Sequence, residues 1–140
     1  MSRVIRFVPL LLVVVGCQLP EQQPALRPLP EGSATVPYPY AELLTRARQQ
    51  ATAATNGFHL NDWTALEDAA RNLEQTSRFL PKATDVPDKY KDSLPATATD
   101  LGKDASSLRD AATAKEKDVE RIKALLTSIN NRVREMRLEN

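Results

Sequence analysis

Apolar residues between positions 40 and 137 recur at alternating steps of three and four. Tyr40, Leu44, Ala47, Ala51, Ala54 and Phe58 form one series, and Trp63, Leu66, Ala70, Leu73, Ser77 and Leu80 form a second. Val119, Ile122, Leu126, Ile129, Val133 and Met136 repeat the rhythm. Tyr90, Leu94, Ala98, Leu101, Ala105, Leu108 and Ala112 follow it more loosely. Steps of this length line one face of a helix, so each series is a stripe that must be buried against a neighbour. No stretch shows the period of two expected of a half-buried strand. The spacing predicts helices over roughly 40–56, 62–80, 94–112 and 115–137.

The residues between the stripes agree with that division. Asn56-Gly57 reads as a helix stop, and Asn61-Asp62 as the cap of the next helix. Pro81 closes the second helix, and the stretch PKATDVPDK makes a longer connection. Pro95 lacks the N–H of an interior helical residue, so it starts or kinks the third helix. Thr113-x-x-Glu116 has the form of a capping box and divides the third helix from the fourth. The expected fold is all-α, an antiparallel four-helix bundle. The breaks at Gly57 and Pro81 disfavour a continuous coiled-coil rod.

The chain before residue 40 is built differently. MSRVIRF carries Arg3 and Arg6 and no acid, then runs into nine apolar residues from Phe7 to Val15, then Gly16 and Cys17. A basic start, a short apolar run and a small residue are the parts of a secretory signal peptide. The run is shorter than the ~20 residues a membrane-spanning helix needs. Val14-Val15-Gly16-Cys17 resembles the lipobox of bacterial lipoproteins. That resemblance implies a thioether from Cys17 to diacylglycerol, cleavage before Cys17, and an often acylated terminal amine. It gives a purpose to the one cysteine of the chain, since an unpaired thiol in an exported protein is a liability. Gln18 stands where, in some lipoprotein sorting systems, an aspartate retains the protein at the inner membrane. The outer membrane is therefore the mild preference.

Prolines at 20, 24, 28, 30, 37 and 39 oppose helix and strand alike and favour an extended, solvated chain. A tether is preferred here over a PxxP ligand. The expected organisation is a signal peptide at 1–16, the lipidated cysteine and Pro-rich linker at 17–39, and the bundle domain at 40–140.

Charge narrows the partners. The full chain holds 19 Lys and Arg against 18 Asp and Glu. Without residues 1–16, which include two arginines and no acid, 17 basic residues face 18 acidic ones. Such a balance offers no basic patch for nucleic acid and no polybasic supplement to a lipid anchor.

Candidate chemistry is sparse. His59 is the one histidine, placed in the turn after the first helix, and a zinc site would need more His or Cys than the chain has. Glu67, Asp68, Glu74, Asp100, Asp104 and Asp110 interleave with Arg and Lys, as on a solvated helix face. No G-x-S-x-G or S-x-x-K frames a nucleophile. Trp63 reads as a core anchor, and Arg132, Arg134 and Arg137 complement the dipole of the last helix. The chain is expected to be non-enzymatic, with no catalytic residue, metal or cofactor.

Asp62-Trp63 opening the second helix, together with Ala/Leu heptads over 40–138, resembles the cytochrome c′-like bundles. In that family the last helix carries C-x-x-C-H, and here Ile129, Arg132 and Val133 stand at those positions. The resemblance therefore implies a haem-less relative, without covalent haem. The leading expectation is a non-catalytic envelope lipoprotein, held on the bilayer by acylated Cys17, whose bundle binds or spaces a protein partner. The alternative is a small-ligand or sensory module with a cavity where haem would sit. A redox protein holding non-covalent haem through His59 and Met136 ranks last.

Overall fold

The computed structural model describes residues 27–30 and 37–137. The expected signal peptide, Cys17 and the rest of the linker lie outside the described residues. The fold is all-α: α1 (Tyr40–His59), α2 (Trp63–Phe79), a 3₁₀ turn (Leu80–Lys82), the single-turn α3 (Asp88–Lys91), α4 (Leu94–Thr113) and α5 (Val119–Glu135). Among the described residues the β-type pairing is one isolated bridge, Pro39 with Thr84.

The boundary between α1 and α2 falls later than Asn56-Gly57 suggests. Gly57 is helical and buried, and α1 runs on to His59. The left-handed residue is Asn61, at φ 53°. The Asp62 N–H donates to the Gly57 carbonyl at 2.8 Å, and the Asn61 N–H to the Phe58 carbonyl at 3.1 Å. These two bonds make a Schellman closure with asparagine in the αL position. Asp62 then caps α2, its carboxylate accepting from the Ala65 N–H at 2.9 Å. Gly57 is needed for space: a Cβ there would lie 2.9 Å from the Leu66 nitrogen and 3.2 Å from the Asp62 carbonyl oxygen.

The expected capping box at Thr113 and Glu116 does not form. Thr113 is the last residue of α4, and its hydroxyl donates to the Arg109 and Asp110 carbonyls. The cap of α5 is Asp118, which accepts from the Arg121 N–H at 3.0 Å. Residues 114–118 therefore form a loop, and α5 begins at Val119 rather than 115. Lys117 turns back over the end of α4, its Nζ donating to the carbonyls of Ala112 and Ala114. A cation there also meets the negative end of the helix dipole.

α1 packs on α2 and α5, and α4 packs on α2 and α5. The stripes read from the sequence are the faces that meet. Leu44, Ala47, Ala51, Leu66, Ala70, Leu73, Leu101, Leu108, Ile122 and Ile129 are all buried. Four stripe positions differ: Val119 is exposed, and Phe58, Trp63 and Tyr90 are only half-buried, Val119 and Trp63 because each opens a helix at the rim of the core. Trp63 meets Phe58 edge-on at 6.3 Å, with the Lys117 ammonium 5.5 Å from its ring centroid. Among the buried alanines and leucines, one polar pair fixes α1 against α2. The Thr76 hydroxyl donates to Gln50 Oε1 at 2.9 Å, an arrangement costly to leave half-made. The connection before α4 is tied to the start of α1, since the Tyr40 N–H donates to the Thr84 carbonyl and the Thr84 N–H to the Tyr38 carbonyl.

Candidate functional site

α2 carries an outward surface that the sequence does not announce. Ala65 and Ala69 on α2 and Ala53 on α1 have side chains too small to fill the space between the two helices. A groove of about 580 Å³ runs along this face from Ala65 to Arg78, bordered by Arg109 of α4 and by Arg27 and Pro28. The last two belong to the segment Arg27–Pro30, which lies against the helices. Leu29 is 4 % exposed and joins the hydrophobic core.

Gln75 holds that segment by its main chain. The Leu29 N–H donates to Gln75 Oε1 at 2.7 Å, and Gln75 Nε2 donates to the Leu29 carbonyl at 2.8 Å. Arg46 of α1 adds a long bond from its guanidinium to the Arg27 carbonyl, at 3.4 Å. Part of the stretch expected to be a solvated tether is thus packed on the helical domain. Neither Leu29 nor Gln75 stands out in the sequence. The available signal was a leucine flanked on both sides by proline, which keeps an extended backbone and presents one apolar side chain.

The six acids singled out in the sequence all have partners. Arg71 pairs with Glu67 and Asp68, and Lys103 with Asp100. Glu74 takes Arg78 on one oxygen and Arg109 of α4 on the other, with its side chain only 15 % exposed. Asp110 also meets Arg109. Asp104 accepts from Arg132 Nε at 2.8 Å and from the Ser128 hydroxyl at 2.6 Å, joining α4 to α5. The carboxylate beside it holds the Arg132 guanidinium even more firmly charged than usual. Glu74 and Asp104 are therefore bridges between helices rather than parts of a freely solvated face.

His59 is exposed at the end of α1, whereas Met136 is buried beside Tyr40 at its start. The 20 residues of α1 separate these ends by roughly 30 Å. One iron cannot take both as axial ligands, which removes the non-covalent haem reading that paired them. Ile129 and Val133, at the positions of the missing haem motif, are buried in the core and do not line the groove. Arg132 is half-buried in its ion pair. Among the described residues, no three His, Cys, Asp or Glu side chains gather as a metal site would require. No described helix is long and apolar enough to cross a membrane. Compared with protein-family models, curated proteins and solved structures, the chain matches none.

Proposed function

We propose that this protein is a non-catalytic lipoprotein of the bacterial cell envelope, anchored through acylated Cys17, whose helical domain binds a protein partner. The observation that carries the reading is the order of features at the start of the chain. Two arginines, a nine-residue apolar run, Gly16 and the one cysteine follow each other in the sequence of a lipoprotein signal. Each buried methylene contributes ~0.8 kcal/mol, so two or three acyl chains suffice for stable attachment.

The finer architecture belongs to the same proposal: α1, α2, α4 and α5 form an antiparallel four-helix bundle. Support comes from contacts at opposite helix ends. Tyr40 at the start of α1 meets Met136 beyond the end of α5. Gly57 near the end of α1 approaches Leu66 near the start of α2. Arg132 late in α5 reaches Asp100 early in α4. The partnered acids and the groove on α2 suit a surface that docks another chain better than one that carries out a reaction.

The anchor is tested by growing the native host with a labelled fatty acid. Wild-type protein should take up the label, and Cys17→Ser should not. Equal labelling of both would overturn the anchor.

A further inference from the structure

The Arg27–Pro30 segment lies along one wall of the groove, with Leu29 seated on Gln75 as a peptide ligand would be. Pro28 and Pro30 have no N–H, so Leu29 supplies the one main-chain donor of the Pro-Leu-Pro unit. Gln75 meets that donor and the carbonyl of the same residue with its two amide ends, at 2.7 and 2.8 Å. The amide thereby replaces one rung of a neighbouring β-strand, the main-chain element of strand-addition recognition. Selectivity comes from the leucine, whose side chain is buried to 4 % exposure. The flanking prolines hold the backbone extended before it binds, which lowers the ordering cost. Open space continues from this seat along α2, beside Arg27 and Pro28.

We propose that the Gln75 seat beside this groove is a recognition site for an extended Pro-Leu-Pro segment of a protein partner, with Arg27–Pro30 as its displaceable resident ligand. The resident defines the partner's chemistry: an apolar leucine between two prolines, read by Gln75 through the main chain and continued by residues that can lie along the alanine floor. Being part of the same chain, the resident competes at an effective concentration on the order of millimolar. A partner segment must exceed that to bind, so the contact sets a threshold for docking. This inference rests on the partner-binding half of the proposed function and is independent of the lipid anchor. Peptide binding is measured on the full chain whether or not Cys17 is acylated, so failure of one reading is distinguishable from failure of the other.

The probe is a fluorescein-labelled peptide of sequence ALRPLPEG, titrated into the full-length chain as isolated from cells and followed by anisotropy. Leu29→Asp replaces the seated leucine without altering any residue of α1 or α2, and this variant should bind the peptide at least about tenfold more tightly than wild type. Adding Gln75→Ala to it should abolish most of that gain, and a peptide with aspartate in place of the leucine between its two prolines should not bind. Absence of binding by a folded Leu29→Asp chain, or equal binding of both peptides, would overturn the proposal. Binding accompanied by dissociation of a dimer would overturn it in favour of exchange between two copies. Should Leu29→Asp not fold, hydrogen exchange of the Leu29 amide in wild type decides. Millimolar unlabelled peptide should expose that amide, and protection that no peptide concentration shifts would overturn the proposal.

Discussion

The Tyr40 hydroxyl donates to the Met136 carbonyl oxygen across 2.7 Å, so the first residue of α1 holds the residue that closes α5. Both residues are buried, and a buried donor and acceptor that satisfy each other cost far more to separate than the bond itself contributes. Tyr40→Phe leaves the Met136 carbonyl without this donor and should cost about 1–3 kcal/mol in chemical denaturation. The pairing also has a pH signature. Burial, and secondarily Tyr90, pushes the Tyr40 hydroxyl up from 10.0 to about 12. A group bound more tightly to its proton in the folded state contributes stability fully below its unfolded pKa and loses it as pH rises. Wild type should therefore lose stability between about pH 10 and 12 relative to Tyr40→Phe, which has no such proton. Parallel stability curves for the two proteins across that interval would contradict the assignment.

Gly57 and Gly102 should differ in their tolerance of alanine. Each is helical, where alanine normally gains up to about 1 kcal/mol over glycine. At Gly57 the new Cβ meets main-chain atoms of Leu66 and Asp62, which cannot give way without shifting the start of α2. Gly57→Ala should lose about 1–2 kcal/mol net. At Gly102 the close neighbour is the Ser77 hydroxyl, 2.6 Å away, which can rotate at the expense of its bond to the Glu74 carbonyl. Gly102→Ala should stay within about 0.5 kcal/mol of wild type. Denaturant midpoints measure both.

The start of α5 separates two caps that the sequence alone does not distinguish. Asp118→Ala removes the acceptor for the Arg121 N–H and should cost about 1 kcal/mol. Glu116 lies in the 114–118 loop, exposed, and Glu116→Ala should leave the thermal midpoint unchanged. The reverse ranking would restore the capping box.

Periodicity carried the fold because burial of a helix stripe is a demand of every residue in it. Leu66, Leu73, Leu108 and Ile129 could be placed in a core from spacing alone, and they lie there. The helix ends were less legible, since they depend on one bond each. Asn61-Asp62 does cap the second helix, as its residues suggest, whereas Asn56-Gly57 does not stop the first, whose closure is made by the left-handed Asn61. The seat of Leu29 was less legible still. Its partner Gln75 is 46 residues away, and the prolines on either side of Leu29 mark an extended backbone without stating what will cover it.

Asp104 joins α4 to α5 by receiving both Arg132 and Ser128 on one oxygen. Hydrogen bonds to a charged group contribute more than neutral ones, though partial exposure reduces the effect. Asp104→Ala should cost roughly 1–2 kcal/mol, and Asp104→Asn somewhat less because it keeps an acceptor for Ser128. A double-mutant cycle with Arg132→Ala measures the coupling. Additive losses would mean that the pair contributes nothing of its own.

The direct test of an anchored envelope protein is the mass of its mature N-terminal peptide, purified from membranes of the native host. Lipidation requires that this peptide begin at Cys17 and carry a diacylglycerol thioether, with or without an acyl chain on the amine. A mature chain that begins elsewhere, or that begins at an unmodified Cys17, would contradict it.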